Sequence, residues 1–277
     1  MTRICIVAMD MDGTLLRGDK TVSARTAAVL RACEEKGVKM VLASGRGFES
    51  IRVYAERLGL RSPLVCANGA RIEASPDGET LLEDCLPEEV SRRVCEIMLE
   101  SGVYFVCYTR GINYHANAER PMRGQMPGAA PGRFTVQNVL DRAALLREGV
   151  RRPYKYVAFT EDAPALARLR TALEASGLPV YLSSSWHDNL EVMTKSANKG
   201  SALRFLSKAY GVPREETIAF GDERNDIEMI AYAGLGVAMG NASDTVKAAA
   251  RLVAPTNEED GVAAILEEYI LKGGDSV

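Results

Sequence analysis

Short apolar runs alternate with longer amphipathic segments at both ends of the 277-residue chain. At the N-terminal end, the runs 4–9, 38–43 and 64–67 predict buried β-strands, and the segments between them predict helices. The same alternation returns after residue 198, with strands predicted at 217–220 and 236–239. Strands that alternate with helices indicate a mostly parallel sheet with crossover connections.

The pattern changes between these two regions. A hairpin-like stretch after residue 70 precedes a predicted helix, 87–101, and a series of short predicted strands. A segment rich in glycine and proline, 119–133, predicts a long loop. We therefore expect an α/β chain in which a discontinuous core, 1–84 and 191–277, carries an inserted α+β domain, 85–190.

Composition and charge exclude several kinds of partner. The net charge is -3 and the pI is about 5.7, which gives no general electrostatic reason to bind nucleic acid or a membrane. The six cysteines are scattered without a C-x-x-C pair and indicate reduced thiols rather than disulfides or a zinc site. The N-terminal apolar run turns acidic after a few residues, unlike a signal peptide, so we expect a cytoplasmic protein.

Two carboxylates two positions apart follow the first predicted strand, in Asp10-Met11-Asp12-Gly13-Thr14. A carboxylate can attack phosphorus and form an acyl phosphate, so Asp10 is a candidate nucleophile. Asp12 can then protonate the departing alkoxide and later deprotonate water. The alternatives are a surface turn or part of a calcium loop, and the pattern lacks the further ligands of the latter.

A second acidic segment, Gly221-Asp222-Glu223-Arg224-Asn225-Asp226, follows the predicted strand 217–220. Taken by itself, Asp222 would be a good N-cap for the next helix. With Asp10 and Asp12, however, it brings several carboxylates to the same edge of the predicted sheet, where they would repel one another strongly. Carboxylate oxygens are the ligands that Mg²⁺ prefers, so this edge is a candidate magnesium site.

Two further segments indicate anion binding. Ser44-Gly45-Arg46 ends the second predicted strand, where a hydroxyl and exposed N–H groups can hold an anion, although Ser44 could also be a simple helix cap. Lys199 opens the helix after the inserted domain. A cation there is unfavourable with the helix dipole, so it calls for a reason such as screening the repulsion between phosphate and Asp10. A solvated lysine is the alternative.

Taken in order, the motifs D-x-D-G-T, S-G-R, N-K-G and G-D-x-x-N-D-x-x-M resemble those of the haloacid-dehalogenase (HAD) superfamily. Asn68-Gly69-Ala70 and Glu259-Asp260-Gly261-Val262 resemble accessory features of its Cof-type sugar-phosphatase branch. The resemblance implies a Rossmann-like parallel-sheet core with a type IIB cap. It also implies a Mg²⁺-dependent phosphatase that works through an aspartyl-phosphate intermediate.

The resemblance assigns roles to positions that match the motifs. It implies Asp10 as nucleophile, Asp12 as general acid/base, and Ser44 and Lys199 as phosphate-binding catalytic residues. The residues implied for substrate binding are Met11, Ser44, Gly45, Arg46, Lys199 and Asn225. The residues implied for metal binding are Asp10, Asp12 through its backbone carbonyl, and Asp222. Asp226 is implied as an outer-shell acid, which contacts the metal ligands.

The expected substrate is a small phosphorylated metabolite, such as a sugar phosphate, bound by a monomer or weak homodimer. We expect the inserted domain to contact the leaving group, with Trp186, His187 and the 119–133 loop as candidates. A phosphomutase that uses the same acyl phosphate is an alternative. A non-catalytic metabolite-binding regulator is disfavoured because no catalytic position of the motifs is lost.

Overall fold

Each of two compact units of the chain contains its own β-sheet. The first unit comprises Met1–Leu82 and Asn198–Val277, and the second comprises Glu83–Ala197. The computed structural model describes residues 3–110, 112–117, 135–138, 143, 145–184 and 188–272. Trp186, His187 and the 119–133 segment lie outside the described residues.

The strands range from two to six residues in length. In chain order they are β1 (Ile6–Met9), β2 (Lys39–Ala43), β3 (Leu64–Cys66), β4 (Arg71–Glu73), β5 (Thr80–Glu83), β6 (Tyr104–Tyr108), β7 (Ile112–Ala116), β8 (Thr135–Asn138), β9 (Lys155–Phe159), β10 (Val180–Ser183), β11 (Asn189–Thr194), β12 (Thr217–Gly221), β13 (Leu235–Ala238) and β14 (Leu252–Val253).

Most of the helices follow a strand directly. In chain order the α-helices are α1 (Ala24–Glu35), α2 (Phe48–Leu58), α3 (Glu88–Ser101), α4 (Ala163–Ala175), α5 (Lys199–Ala209), α6 (Ile227–Tyr232), α7 (Asp244–Ala249) and α8 (Gly261–Leu266). Short 3₁₀ or π-helical turns occur at Ala67–Gly69, Leu145–Gly149, Arg214–Glu216, Arg224–Asp226, Asn257–Glu259 and Glu267–Leu271. No helix among the described residues combines the length and the apolar character that a membrane crossing requires.

The sheet of the first unit has the order β14-β13-β12-β1-β2-β3-β4-β5. Strands β14 to β3 are parallel, and β4 turns back antiparallel to β3. All four residues of β1 are buried, as expected for a central strand with both faces covered. The carboxyl ends of β12, β1 and β2 therefore lie side by side at one edge of the sheet, where α/β proteins bind ligands.

Apolar side chains of this sheet pack into layers on its two faces. One layer joins Met9, Met40 and Phe220 to helices that include α1 and α8. The other joins Ile6 and Ala219 to α5 and α6. Because both faces are packed, the backbone at the strand ends is held firmly, and the polar residues that follow the strands inherit that rigidity.

The sheet of the second unit has the order β10-β11-β9-β6-β7-β8. Its neighbours are antiparallel except for β7 and β8, which are parallel. Phe105, Tyr156 and Leu190 pack with side chains from α3 and α4 on one face. Strand β11 pairs with β9 through Met193, so the domain boundary drawn from the sequence at residue 190 falls inside this strand.

The predicted fold class, an α/β core with an inserted α+β domain, is confirmed, and the predicted strands agree with the observed ones to within one or two residues. Two strands were not predicted, β8 and β14. Strand β8 (Thr-Val-Gln-Asn) contains a single apolar residue, and β14 has only two residues, so neither forms an apolar run that marks a strand.

Candidate active site

The carboxyl edge of the first sheet brings together residues from distant parts of the chain. Asp10 follows β1, Ser44 follows β2, and Asp222 follows β12. The register pairs Met9 with both Leu42 and Phe220, so these three polar residues begin at similar heights along the sheet. All three are buried. They lie in the positions that the alternation of strands and helices predicted.

Lys199 reaches this edge from the start of α5. The side chain of Asn198 caps the helix by accepting a hydrogen bond from the N–H of Ser201, and the Ser201 side chain completes a capping box. This cap fixes Lys199 as the first helical residue. Its ammonium group donates to Asp226 at 2.6 Å and also to Asp10, with none of the Lys199 side chain exposed.

Asp226 organises the loop after β12. Its Oδ2 accepts hydrogen bonds from the N–H groups of Asp222 and Glu223, both at 3.0 Å. Its Oδ1 accepts the hydrogen bond from Lys199. Because both oxygens of Asp226 are engaged, this residue is suited to orient Asp222 and Lys199. The Asp222 carboxylate itself accepts a 2.6 Å hydrogen bond from the Thr14 hydroxyl.

Negative charge exceeds positive charge in this cluster. One carboxylate oxygen from each of Asp10, Asp222 and Asp226 lies within 4.8 Å of the others, and the Lys199 ammonium group bonds two of them, Asp10 and Asp226. Burial, reinforced by the neighbouring carboxylates and opposed by Lys199, raises the pKa of Asp10 well above its usual value. Burial likewise raises the pKa of Asp222 to about 7, although the Thr14 hydrogen bond opposes it.

Lys199 keeps its charge in this setting. Burial would lower the pKa of its ammonium group, but the charges of Asp10 and Asp226 outweigh burial and raise it. Ionising both Asp10 and Asp222 therefore leaves surplus negative charge in the cluster. A hard dication with oxygen ligands would offset that surplus, so the donor set fits Mg²⁺.

The carboxylate of Asp12 is not part of this cluster. Arg46 donates to it through Nε at 2.7 Å and Nη2 at 2.6 Å, and Lys20 donates at 2.9 Å. Burial raises the pKa of Asp12, but these hydrogen bonds outweigh it and hold that pKa below the usual value. A metal role for Asp12 is thus compatible only with its backbone carbonyl, as the motif resemblance implied.

The structure adds detail to two of the predicted substrate-binding residues. The side chain of Met11 is fully buried in the hydrophobic core, so only its backbone can contact a substrate. The guanidinium of Arg46 holds Asp12, so in this structure Arg46 acts on a neighbouring carboxylate. Asn225 lies in the 3₁₀ turn Arg224–Asp226 and donates through Nδ2 to the side chain of Asn68 at 3.1 Å.

Three residues at this edge had no role assigned from the sequence: Thr14, Lys20 and Asn68. Thr14 belongs to the D-x-D-G-T motif, so its position was a signal that could have been used. Lys20 lies in a loop with a left-handed backbone, φ 65°, and nothing in the local sequence marks it as the partner of Asp12. The loop that carries Thr14 and Lys20 is tethered by Asn257, whose Nδ2 donates to the carbonyl of Leu16 at 2.8 Å.

Comparison with known protein families gives a match over most of the chain. Residues 7–266 match the haloacid dehalogenase-like hydrolase family. A 5-amino-6-(5-phospho-D-ribitylamino)uracil phosphatase from Bacillus subtilis (strain 168) is 33% identical over 275 residues, covering 97% of this chain and 98% of that protein. A pyridoxal phosphate phosphatase from Escherichia coli (strain K12) is 28% identical over 270 residues, covering 96% and 98%.

Solved structures share the same fold. A haloacid dehalogenase-like hydrolase from Bacteroides thetaiotaomicron has a TM-score of 0.84 and 30% identity, covering 97% of this chain and 100% of the other. A HAD subclass IIB sugar phosphatase has a TM-score of 0.76 at 20% identity, covering 96% and 98%, and so shares the fold. The chain therefore belongs to the haloacid dehalogenase-like hydrolase family, and it is a phosphatase.

Proposed function

We propose that the protein hydrolyses phosphomonoesters of small metabolites through a covalent phosphate on Asp10, with Mg²⁺ as cofactor. One observation carries this proposal. Lys199 connects Asp10 to Asp226 in a fully buried cluster at the carboxyl edge of the sheet, beside Asp222 and its surplus negative charge. Catalytic sites are places where burial and neighbouring charges are arranged to raise or lower pKa values in this way.

In the first half of the proposed reaction, a carboxylate oxygen of Asp10 forms a bond to phosphorus. The bond between phosphorus and the leaving oxygen breaks, and Asp12 gives its proton to that oxygen. In the second half, Asp12 takes a proton from water as the water oxygen attacks phosphorus. The bond from phosphorus to Asp10 then breaks, which releases inorganic phosphate and restores the carboxylate.

The acid role requires Asp12 to carry a proton, whereas Arg46 and Lys20 hold it ionised in the free protein. A phosphomonoester dianion is a competing acceptor for both cations. We propose that substrate draws Arg46 or Lys20 away, which raises the affinity of Asp12 for a proton at the step that needs it. Asp12 would thus gain its acid function when substrate is bound.

The remaining core residues position the phosphoryl group. Ser44, with the N–H groups of the following loop, and the Lys199 ammonium would contact its oxygens. Asp10, Asp222 and the Asp12 carbonyl would hold Mg²⁺, while Asp226 orients Asp222 and Lys199. When bound, Mg²⁺ would neutralise the charge that repels an anionic substrate from Asp10.

Two relatives of similar identity are named for a phosphorylated ribitylaminouracil and for pyridoxal phosphate, so similarity at this level does not select one substrate. We propose the wider class, small phosphorylated metabolites, with the inserted unit contacting the leaving group. None of the six cysteines, all of which the structure describes, forms a disulfide, as expected in a reducing compartment, and this supports a cytoplasmic enzyme.

The test is release of inorganic phosphate from a panel of sugar, nucleotide and cofactor phosphates in the presence of Mg²⁺. Phosphate release from at least one member is the expected result. Return of the phosphoryl group to another position of the same substrate, without free phosphate, would instead indicate a phosphomutase. If no phosphomonoester in the panel gave either free phosphate or a rearranged product, the proposal would be contradicted.

A further inference from the structure

Three consecutive residues with left-handed backbone conformations follow β3. Ala67 has φ 49°, Asn68 has φ 56° and Gly69 has φ 101°. Such a conformation is unfavourable for alanine, and asparagine tolerates it better than most residues. All three residues are buried. Local strain of this kind persists where surrounding contacts determine it, and it clusters at functional sites.

The backbone of this turn holds the Ser44–Arg46 loop. The N–H of Asn68 donates to the carbonyl of Ser44 at 3.0 Å, and the N–H of Ala67 donates to the carbonyl of Arg46 at 2.9 Å. Both N–H groups point at this loop because of the left-handed backbone. The turn therefore fixes the loop that supplies the proposed phosphate-binding hydroxyl and N–H groups.

The same turn packs against the start of α5. A Cβ atom placed on Gly69 would lie 2.5 Å from the carbonyl oxygen of Asn198, and the φ of Gly69 already disfavours any side chain. The closeness of this backbone contact leaves no room for adjustment. Residue 69 thus sets the position of the helical residue that follows, Lys199.

The side chain of Asn68 connects the turn to the loop after β12. Its Oδ1 accepts the hydrogen bond from Asn225 Nδ2, and a Cβ on Gly45 would lie 3.1 Å from the same Oδ1. Asn225 is 9% exposed, and its own Oδ1 has no hydrogen-bond partner among the described residues. An unpaired buried carbonyl oxygen is unfavourable, so its presence here points to a donor supplied by a ligand or its bound water.

We propose that Asn68 is a positioning residue of the phosphate site, a role that rests on the proposed phosphatase function. Its backbone fixes the Ser44–Arg46 loop, and its side chain orients Asn225 so that the Asn225 Oδ1 can accept a hydrogen bond from a bound ligand or its water. Asn68 thereby connects three of the loops that carry the sequence motifs without itself reacting. Loss of its side chain should displace Asn225 and perturb phosphate binding more than it perturbs folding.

The variant Asn68→Gly tests this role, because glycine accepts the left-handed backbone and removes only the side chain. Asn117 provides a matched control. It also has a left-handed backbone, φ 60°, and its Nδ2 donates to the carbonyls of Met98 and Val103 at 3.1 and 3.0 Å, in the second unit. Asn117→Gly therefore removes a comparable set of hydrogen bonds, none of which involves a residue of the proposed phosphate site.

We expect Asn68→Gly to lower kcat/KM for p-nitrophenyl phosphate about 10- to 100-fold, the effect of a small misplacement of binding groups. We expect Asn117→Gly to leave kcat/KM unchanged while lowering Tm at least as much. Asn225→Ala should also lower kcat/KM. The kcat/KM of the double variant Asn68→Gly/Asn225→Ala should be no lower than that of the less active single variant, because the two side chains act together. Additive losses would overturn the coupling.

Binding of inorganic phosphate with Mg²⁺, measured by calorimetry, gives a readout that does not depend on turnover. Weaker binding by Asn68→Gly than by Asn117→Gly supports the positioning role even if wild-type protein hydrolyses no phosphomonoester, in which case only the proposed function fails. Equal binding and equal kcat/KM in the two glycine variants would overturn the inference and leave the phosphatase proposal intact. Absence of both phosphate binding and hydrolysis in wild type would overturn both.

Discussion

The ammonium group of Lys199 donates a 2.6 Å hydrogen bond to Asp226, and neither side chain is exposed to solvent. Lys199 also bonds Asp10, so one cation joins the proposed nucleophile to the acid that orients Asp222. In the proposed mechanism, every group in this chain of contacts serves the phosphoryl group, which all phosphomonoesters share. Its variants should therefore affect all substrates in a similar way.

Lys199→Ala should lower kcat/KM by a similar factor for every phosphomonoester, because the lost interaction is with the transferred group. The measurement is kcat/KM over a substrate panel for wild type and Lys199→Ala. The contrasting variant is Trp186→Ala in the inserted segment. From the sequence we expect it to change the ranking of the substrates by kcat/KM. Each substrate that uses the lost contact should lose roughly 1–3 kcal/mol of transition-state stabilisation. Reordering by Lys199→Ala together with uniform scaling by Trp186→Ala would contradict this division.

Asp10→Asn should lower kcat by several orders of magnitude, because the amide has nearly the same shape as the carboxylate but cannot attack phosphorus. The fold should persist, since removing one of the mutually repelling carboxylates relieves charge and leaves Lys199 bonded to Asp226. Steady-state kinetics and a circular-dichroism melt check both statements. A well-folded variant with near-native kcat would rule out the covalent route.

Removal of divalent metal should silence the enzyme, and Mg²⁺ should restore it, since Asp10 and Asp222 supply hard oxygen ligands with surplus negative charge. Ca²⁺ should inhibit, because its longer bonds and looser geometry would misplace Asp10 for attack. Activity is to be measured after EDTA treatment and dialysis, with each ion added back. Undiminished activity in chelator would show that the acidic cluster has another purpose.

Without metal, stability should depend on pH through Asp222. Burial raises its pKa to about 7 from 3.8, so between these values the folded chain binds more protons at this group than the unfolded chain does. Stability therefore falls as pH rises through this window. Asp10, whose pKa is also raised, acts in the same direction.

We expect the Tm of the EDTA-treated protein to decrease from pH 5 to pH 8. In Asp222→Asn this decrease should be smaller, because the amide does not titrate. Excess Mg²⁺ should also make the decrease in Tm smaller in wild type, because the bound ion favours the ionised carboxylate. An identical decrease in wild type and Asp222→Asn, both in EDTA, would remove Asp222 as its source.

Gly13→Ala should impair metal binding and turnover. Gly13 has φ 81°, and an added Cβ would lie 2.1 Å from Oδ2 of Asp222. Gly211→Ala is the matched control, since Gly211 has φ 64° with no atom within 4 Å of an added Cβ. In both variants a side chain at a positive φ destabilises the folded state, by on the order of 1 kcal/mol. Only Gly13→Ala also displaces the proposed metal ligand Asp222. Equal Mg²⁺ affinities in the two variants would contradict the placement of Asp222.

The strand ends were predictable because apolar runs define β1, β2 and β12, and each run stops at a polar residue. The order of the motifs then indicated that Asp10, Ser44, Asp222 and Lys199 belong to one site. The orientation of Met11 was also within reach, since its neighbours on both sides are acidic and its own side chain is apolar. Because that side chain is buried, its predicted role in substrate binding falls to its backbone.

Other contacts could not be predicted, because they depend on how separate loops meet. The pairing of Lys20 with Asp12 requires a left-handed residue eight positions along the chain. The hydrogen bond between Asn68 and Asn225 spans 157 positions, and neither residue type by itself indicates the partner. Local propensity decides which element forms, whereas such side-chain pairs follow only from the packed arrangement.

The adjacency of β1 and β12 also has a consequence for biosynthesis. Thr14 and Asp222, which share a hydrogen bond, are separated by 208 positions, so at roughly 5–20 residues per second the ribosome adds the second about 10 to 40 s after the first. During that interval β1 lacks one of its two neighbours, while the contiguous segment Glu83–Ala197 can already be complete. The nascent chain therefore acquires its acidic cluster only after Asp226 has been added, and messages truncated before codon 222 yield protein without it.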